Sequence, residues 1–377
     1  MKKSEKIYDL VLFETEGQGA SLVTEYVCKH MSENLRWAIV GTQIEQLESL
    51  IEGMKESYPD RKAPAIELFP KDAEKVMALV TKANVVISLL GPDKCRELVL
   101  EACARNGVHC ITPSFQTPWL AEMIKQYHDI AKESGAIIIV GLGAETAPQD
   151  LLAFTSVTEL RKKLKLSTRE VICARPDPSH ARHAGSEEHK GKHDPWILCP
   201  SRGRSISNGT NCFGVRKELT LGHLSASKRH CAQALVHRSW VLLDGGNGEV
   251  YGQRFCFNEF LETRSSTDMM RKLFGKCCGT PRGRLSPENG TVGISMRAVA
   301  IADQEGPYPD RALSELTYSG TSEQLTAAFL VQGASTLFHE KHLREKLGGG
   351  ILTPAMLGMS FVERLQEAGI EIESMLT

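Results

Sequence analysis

The sequence predicts an α/β protein, a doubly wound parallel sheet joined to a second α+β domain whose sheet is mostly antiparallel. Three observations predict it. Between Tyr8 and Val140, short apolar runs alternate with stretches of helical periodicity, the pattern of parallel strands covered by helices. The links between those segments are short, as crossover connections require. After Gly141 the rhythm changes to strands of alternating polarity and long Gly-, Pro- and Ser-bearing stretches, which belong to a differently built domain.

The elements follow in order. Tyr8 to Phe13 is a buried strand, and Glu14 to Ser21 is a glycine-bearing turn leading into a helix over Leu22 to Met31. Strand, turn and helix in that order open a dinucleotide-binding, Rossmann-like domain. Trp37 to Gly41 is a second strand. Thr42 to Lys55 is a helix with Leu47, Leu50, Ile51 and Met54 on one face. Ala65 to Phe69 is a third strand, and Asp72 caps a helix running to Thr81. Asn84 to Leu90 is a fourth strand ending in Gly91-Pro92, with a helix to Asn106 behind it. Val108 to Thr112, a helix over Trp119 to Ser134, and Ala136 to Val140 complete the sheet. Its ligand is expected across the carboxyl ends of the strands.

Beyond Gly141, Leu151 to Leu160 reads as a helix and Leu166 to Ala174 as a strand. Residues 175–211 read as a long loop or lid. Val215 to Cys231 reads as weakly helical, joining Ala232–Leu235 and Trp240–Leu243. Tyr251 to Leu261 reads as an antiparallel strand, Arg264 to Phe274 as a helix, Lys276 to Asn289 as a loop and Thr291 to Asp303 as a strand. Ser322 to Glu340 and Pro354 to Ala368 read as helices. The expected division is residues 1–150, residues 151–320 for substrate binding or dimerisation, and C-terminal helices in residues 321–377 returning to the first domain.

Composition narrows the function. The chain has 377 residues, 24% of them charged, and a formal net charge of -1, which gives no sign of a nucleic-acid partner. No apolar run approaches the roughly 20 residues of a membrane span. The 11 cysteines are scattered, apart from Cys277-Cys278, without a CxxC pair. That suits a reducing compartment, and a cytoplasmic location is expected.

Several segments together resemble the saccharopine dehydrogenase-like oxidoreductases, including their trans-acting enoyl reductase branch. They are Tyr8 to Phe13, Val85 to Pro92, Gly141 to Leu151, His237-Arg238-Ser239 with Tyr251-Gly252, and Gly349 to Ala355 with Glu363 to Gly369. The resemblance runs nearly end to end. It implies a nicotinamide cofactor and a substrate held between the domains. Gly17, Gly19, Thr42, Leu90, Gly91 and Pro92 would then line the cofactor.

The departures are as informative. Where the family turn reads Gly-Ala-Thr-Gly-Phe-Thr-Gly, this chain has Glu14-Thr15-Glu16-Gly17-Gln18-Gly19-Ala20. Two carboxylates thus stand where a pyrophosphate would lie. A unit charge pair about 4 Å apart costs roughly 4 kcal/mol at an effective dielectric near 20, or about three orders of magnitude in binding. The opposing reading turns Glu14 or Glu16 toward solvent or onto the helix as a cap. The family's Gly-Arg-Ser after the second strand reads Gly41-Thr42-Gln43 here, without the arginine that would hold a 2′-phosphate.

Three functions follow. The preferred expectation is a natural-product biosynthetic enzyme on this scaffold, repurposed for cofactor-independent cyclisation or isomerisation. The first alternative is an enoyl or imine reductase using NADP(H) or NAD(H). The second is a non-catalytic binding protein. The expected partner is a small or carrier-linked substrate, with a homodimer as the expected assembly. Candidate acid–base groups are Glu145, His237 and Tyr251, the last two on the second domain's sheet. Asp150 is a helix cap or a further acid. Candidate pocket residues are Ser114, Gln116 and Trp119, after the fifth strand, and Trp196, as an aromatic wall. Arg202, Arg204, Arg282 and Arg284 offer charge for an acidic substrate. His180, His183, His189 and His193 crowd one segment without a metal-ligand signature, so no metal is expected.

Overall fold

The computed structural model describes residues 6–13, 18–70, 72–91, 94–176, 194–200, 207–212, 214–227, 231–244, 250–262 and 293–377. It separates into two compact units, Met1–Ala147 with Ser322–Gly369, and Pro148–Thr321 with Ile370–Thr377.

Unit 1 is built on a parallel seven-stranded sheet. Its strands are β1 (Tyr8–Phe13), β2 (Trp37–Gly41), β3 (Ala65–Leu68), β4 (Ala83–Ser88), β5 (His109–Ile111), β6 (Ile137–Ile139) and β13 (Gly350–Leu352). They lie in the order β13-β6-β5-β4-β1-β2-β3, the doubly wound order with its switch point between β1 and β4. Leu10, Val11, Leu12 and Phe13 are fully buried, as strands covered on both faces require. The crossover helices are α1 (Gln18–His30), α2 (Ile44–Ser57), α3 (Ala73–Thr81), α4 (Lys94–Asn106) and α5 (Thr117–Ser134). The cap expected on α3 is formed, with Asp72 Oδ1 accepting from Lys75 N at 3.1 Å. After Ile139 the chain leaves this sheet, and a later segment adds β13 beside β6 in parallel. That segment also supplies α8 (Ser322–His339), α9 (Lys341–Leu347) and α10 (Gly358–Glu367). The last helix read from sequence begins instead as a 3-10 turn, Pro354–Leu357, and restarts at Gly358, whose φ of 68° breaks the helix.

Unit 2 holds α6 (Ala147–Leu164), α7 (Cys231–Asp244) and a second seven-stranded sheet. Its strands are β7 (Thr168–Arg175), β8 (Val215–Glu218), β9 (Gly222–Ala226), β10 (Cys256–Glu262), β11 (Ile294–Ala302), β12 (Arg311–Tyr318) and β14 (Glu371–Leu376), in the order β14-β12-β11-β7-β10-β9-β8. All neighbours are antiparallel except β7 and β10, which run parallel. The strand expected over Tyr251 to Leu261 starts at Cys256 instead; it is antiparallel to β9, as expected, but parallel to β7 on its other side.

Of the stretch Val215 to Cys231, expected to be weakly helical, the part up to Ala226 is likewise not helical. It is the β8–β9 hairpin, folded because Gly222 takes φ 82° and Glu218 Oε2 accepts from Thr220 N and Leu221 N at 2.6 and 2.7 Å. Ala232–Leu235 and Trp240–Leu243 belong to the single helix α7. The helix expected over Arg264 to Phe274, the loop over Lys276 to Asn289 and most of the expected lid lie outside the described residues.

Candidate functional site

The carboxyl ends of β1, β2 and β4 face one edge of unit 1. β1 and β4 stay paired there, with Leu89 N donating to Phe13 O at 2.8 Å. Helix α1 starts at the same edge, and its described first turn, Gln18 onward, carries no acidic residue. A helix N-terminus of this kind attracts phosphate. Glu14, Glu16, Gly17 and Pro92 lie outside the described residues.

Beside that edge a cleft of about 540 Å³ runs between α1 and α2, within the range of small-molecule sites. Gly41, Thr42 and Gln43, at the end of β2, form its head, and Ala20, Ser21, Thr24 and Glu25 on α1 form one wall. Gln46, Ser49, Leu50, Gly53 and Ser57 on α2 form the other. Ile39, Leu47, Met54 and Tyr58 complete its lining. A Cβ built on Gly53 would meet nothing within 4 Å. Thr42, Gln43 and Gln46 are exposed at its rim. The charged side chain of the lining is Glu25, paired with Lys29 at 2.5 Å.

The other cofactor candidates divide. Gly19 is exposed at the start of α1 and Gly91 is exposed beyond β4, and a Cβ on Gly91 would meet nothing within 4 Å. Leu90 is buried at 1% exposure and packs in the core. The residues present fit the adenosine and diphosphate portions of a dinucleotide: a helix start without acid in its described turn, and a neutral, hydrogen-bonding cleft at the end of the second strand.

Gln116 and Trp119 converge on one group, Arg96. Its Nη2 donates to Gln116 Oε1 at 2.8 Å, and its guanidinium lies 3.6 Å from the centroid of the Trp119 ring, a cation–π contact. Arg96 is 4% exposed, and sequence reading missed it. A signal was present: a cation in the first turn of a helix opposes the helix dipole, so a placement there needs a specific partner. Ser114 is half-buried. Its N donates to Thr112 Oγ1 at 3.2 Å and its carbonyl accepts from Gly141 N at 3.2 Å.

Glu145 is exposed in the turn before α6 and belongs to unit 1. Asp150 lies inside the first turn of α6, fully buried, and accepts from Ser239 Oγ at 2.6 Å. In unit 2 the structure brings His237, Tyr251 and Trp196 into one aromatic cluster. Trp196 stacks on His237 at 4.1 Å, and Phe255 packs edge-on against both His237 and Tyr251. His237 stands on α7 and Tyr251 precedes β10, which corrects their placement on the sheet. Both are 0% exposed. His237 Nε2 accepts from Phe257 N at 3.1 Å, so the ring proton sits on Nδ1 and is donated to Pro195 O at 3.0 Å. Beside it, burial pulls the Arg238 guanidinium down to about 10, and its Nη1 donates to Leu198 O. The histidine-rich segment and the four loop arginines lie outside the described residues. Among the described residues no cluster of metal-binding side chains occurs, and no helix is long and apolar enough to cross a membrane.

The chain thus comprises a Rossmann-like unit and a second α+β unit. Residues 17–139 match the family model described as the saccharopine dehydrogenase NADP-binding domain. A human saccharopine dehydrogenase-like oxidoreductase is 29% identical over 161 residues, 40% of this chain and 38% of that protein. A putative trans-acting enoyl reductase of Mycobacterium tuberculosis is 25% identical over 442 residues, covering 99% of both chains. The chain thus spans about two fifths of the mammalian relatives' length and nearly all of the mycobacterial one. Saccharopine dehydrogenase (L-Glu forming) from Saccharomyces cerevisiae shares the fold, with a TM-score of 0.55 and 11% identity over 98% of this chain and 100% of that one. The resemblance read from sequence is borne out: residues 17–139 match the saccharopine dehydrogenase NADP-binding model, and the chain aligns over nearly its whole length with a putative trans-acting enoyl reductase. These relatives favour the nicotinamide-dependent reading and lend no support to the cofactor-independent one.

Proposed function

We propose that this protein is a nicotinamide-dependent oxidoreductase that reduces an activated C=C or C=N bond in a small or carrier-linked molecule. The observation that carries this is a coincidence of position. The stretch matching an NADP-binding domain, residues 17–139, supplies β2 to β6 of the sheet whose strands adopt the dinucleotide-binding order. The relative matched over its whole length has an enoyl reductase name, which favours a conjugated alkene as the bond reduced.

In this reading the N-terminus of α1 holds the diphosphate. Gly41, Thr42 and Gln43 hold the adenosine ribose. Gly91 leaves space past the end of β4. The bound nicotinamide supplies hydride chemistry, and the chain supplies orientation and a proton. Glu145, exposed before α6, is the proposed proton donor.

A second reading, cyclisation or isomerisation without a cofactor, rests on Glu14 and Glu16 in the turn after β1. Calorimetric titration with NADH and with NADPH, alongside a turnover assay lacking both, separates the two. Saturable, stoichiometric binding of one dinucleotide is expected. Turnover without cofactor, and no binding of either dinucleotide, would sink the oxidoreductase reading.

A further inference from the structure

We infer that the α1–α2 cleft takes an adenosine ribose with free hydroxyls, so that NAD(H) is preferred to NADP(H). This rests on the nicotinamide reading above and names the cofactor that reading leaves open. The argument starts from position. In a doubly wound sheet the residues at the end of the second strand meet the ribose 2′ position. Here those residues are Gly41, Thr42 and Gln43, and they form the head of the cleft.

A 2′-phosphate carries nearly two negative charges and is held by an arginine fork or a lysine. Among the described residues, the lining of this cleft offers neutral groups instead: the Thr42 hydroxyl, the Gln43 and Gln46 amides, and the Ser21 hydroxyl. Its charged member is a carboxylate, Glu25, and the Lys29 ammonium at 2.5 Å is taken up by it. That pair therefore brings no net positive charge. Hydroxyl and amide groups suit vicinal ribose hydroxyls, donating to and accepting from them. The groove is open along its α2 wall, where an added Cβ on Gly53 would meet nothing within 4 Å.

The test is calorimetric titration of the full chain with NADH and with NADPH, for the natural protein and for Thr42→Arg. Hydrogen exchange with and without saturating NADH locates the site. NADH binding at least tenfold tighter than NADPH is expected, with Thr42→Arg weakening NADH and tightening NADPH at least tenfold. Protection by NADH should fall on residues 20–25 and 41–50. NADPH binding as tightly as NADH to the natural protein overturns this inference and leaves the oxidoreductase reading standing. NADH binding without protection of those two segments does the same. Binding of neither dinucleotide overturns both.

Discussion

In unit 1 the central strands bury aliphatic side chains on both faces, and the polar groups gather where the strands end. In unit 2 charge runs through the sheet itself. Arg216 on β8 makes a bidentate pair with Glu170 on β7, at 2.6 and 2.8 Å, and Asn258 on β10 donates to the same carboxylate at 2.7 Å. Arg297 on β11 reaches Glu262 at 2.8 Å, and Arg311 on β12 reaches Glu218 at 3.3 Å. The contrast follows from the strands' surroundings. A parallel sheet between two helical layers has no wet face, so ionisable groups are confined to its ends. In unit 2 the ion pairs link strands that are not neighbours in the sheet, β8 with β7, β11 with β10 and β12 with β8, so each charge is met by an opposite one. Unit 1 thus keeps its polar groups at the strand ends, and unit 2 ties distant strands together through ion pairs.

The largest effect expected from breaking this contrast is at Arg216. Its removal strands the Glu170 carboxylate, whose side chain is 12% exposed. Arg216→Met is expected to cost about 3–5 kcal/mol in urea unfolding. Arg216→Met with Glu170→Met should recover most of that loss. A single-variant loss below about 1 kcal/mol would show that the pair does not organise the sheet.

Next comes the one histidine in the parallel sheet. Burial first, then the Arg344 and Lys6 charges, lower His109 to about 4, and its Nδ1 accepts from Ile137 N at 3.1 Å. Unfolded histidine titrates near 6.5. Between those values the unfolded chain binds the proton and the folded chain does not. Stability should therefore be undiminished above pH 6.5 and fall by about 3 kcal/mol as the pH drops to 4. His109→Gln should flatten that slope; an unchanged slope would assign the loss to other groups.

The smallest effect is at Gly349, before β13. Its φ is 126°, and an added Cβ would stand 2.6 Å from Ala131 O and 3.0 Å from Lys132 Cα. Gly349→Ala should destabilise unit 1 by about 1–3 kcal/mol. Melting unchanged by Gly349→Ala would mean that β13 is added to the sheet without backbone constraint.

The same contrast explains what could be read from sequence. β1, β2, β4 and β6 are apolar runs bounded by turns, so burial on both faces wrote them plainly. β8 is Val-Arg-Lys-Glu, and its charges are held by residues 46 and 93 positions away. Nothing local marks it as a strand. β12 turns Ala312, Ser314 and Leu316 inward, and a buried serine disguised its alternation. β14 follows a helix and pairs with β12 from far along the chain. At the site, Thr42 was legible because it follows a strand. Arg96 was not, because the partners that hold it, Gln116 and Trp119, come from another helix start.

The backbone passes between the two units at residues 147/148, 321/322 and 369/370. Neither unit is a continuous stretch of sequence, so no single proteolytic cut or simple truncation yields either one whole. Preparing unit 1 alone calls for a fusion joining residue 147 to residue 322, and a library of shortened clones would carry orphaned pieces of both.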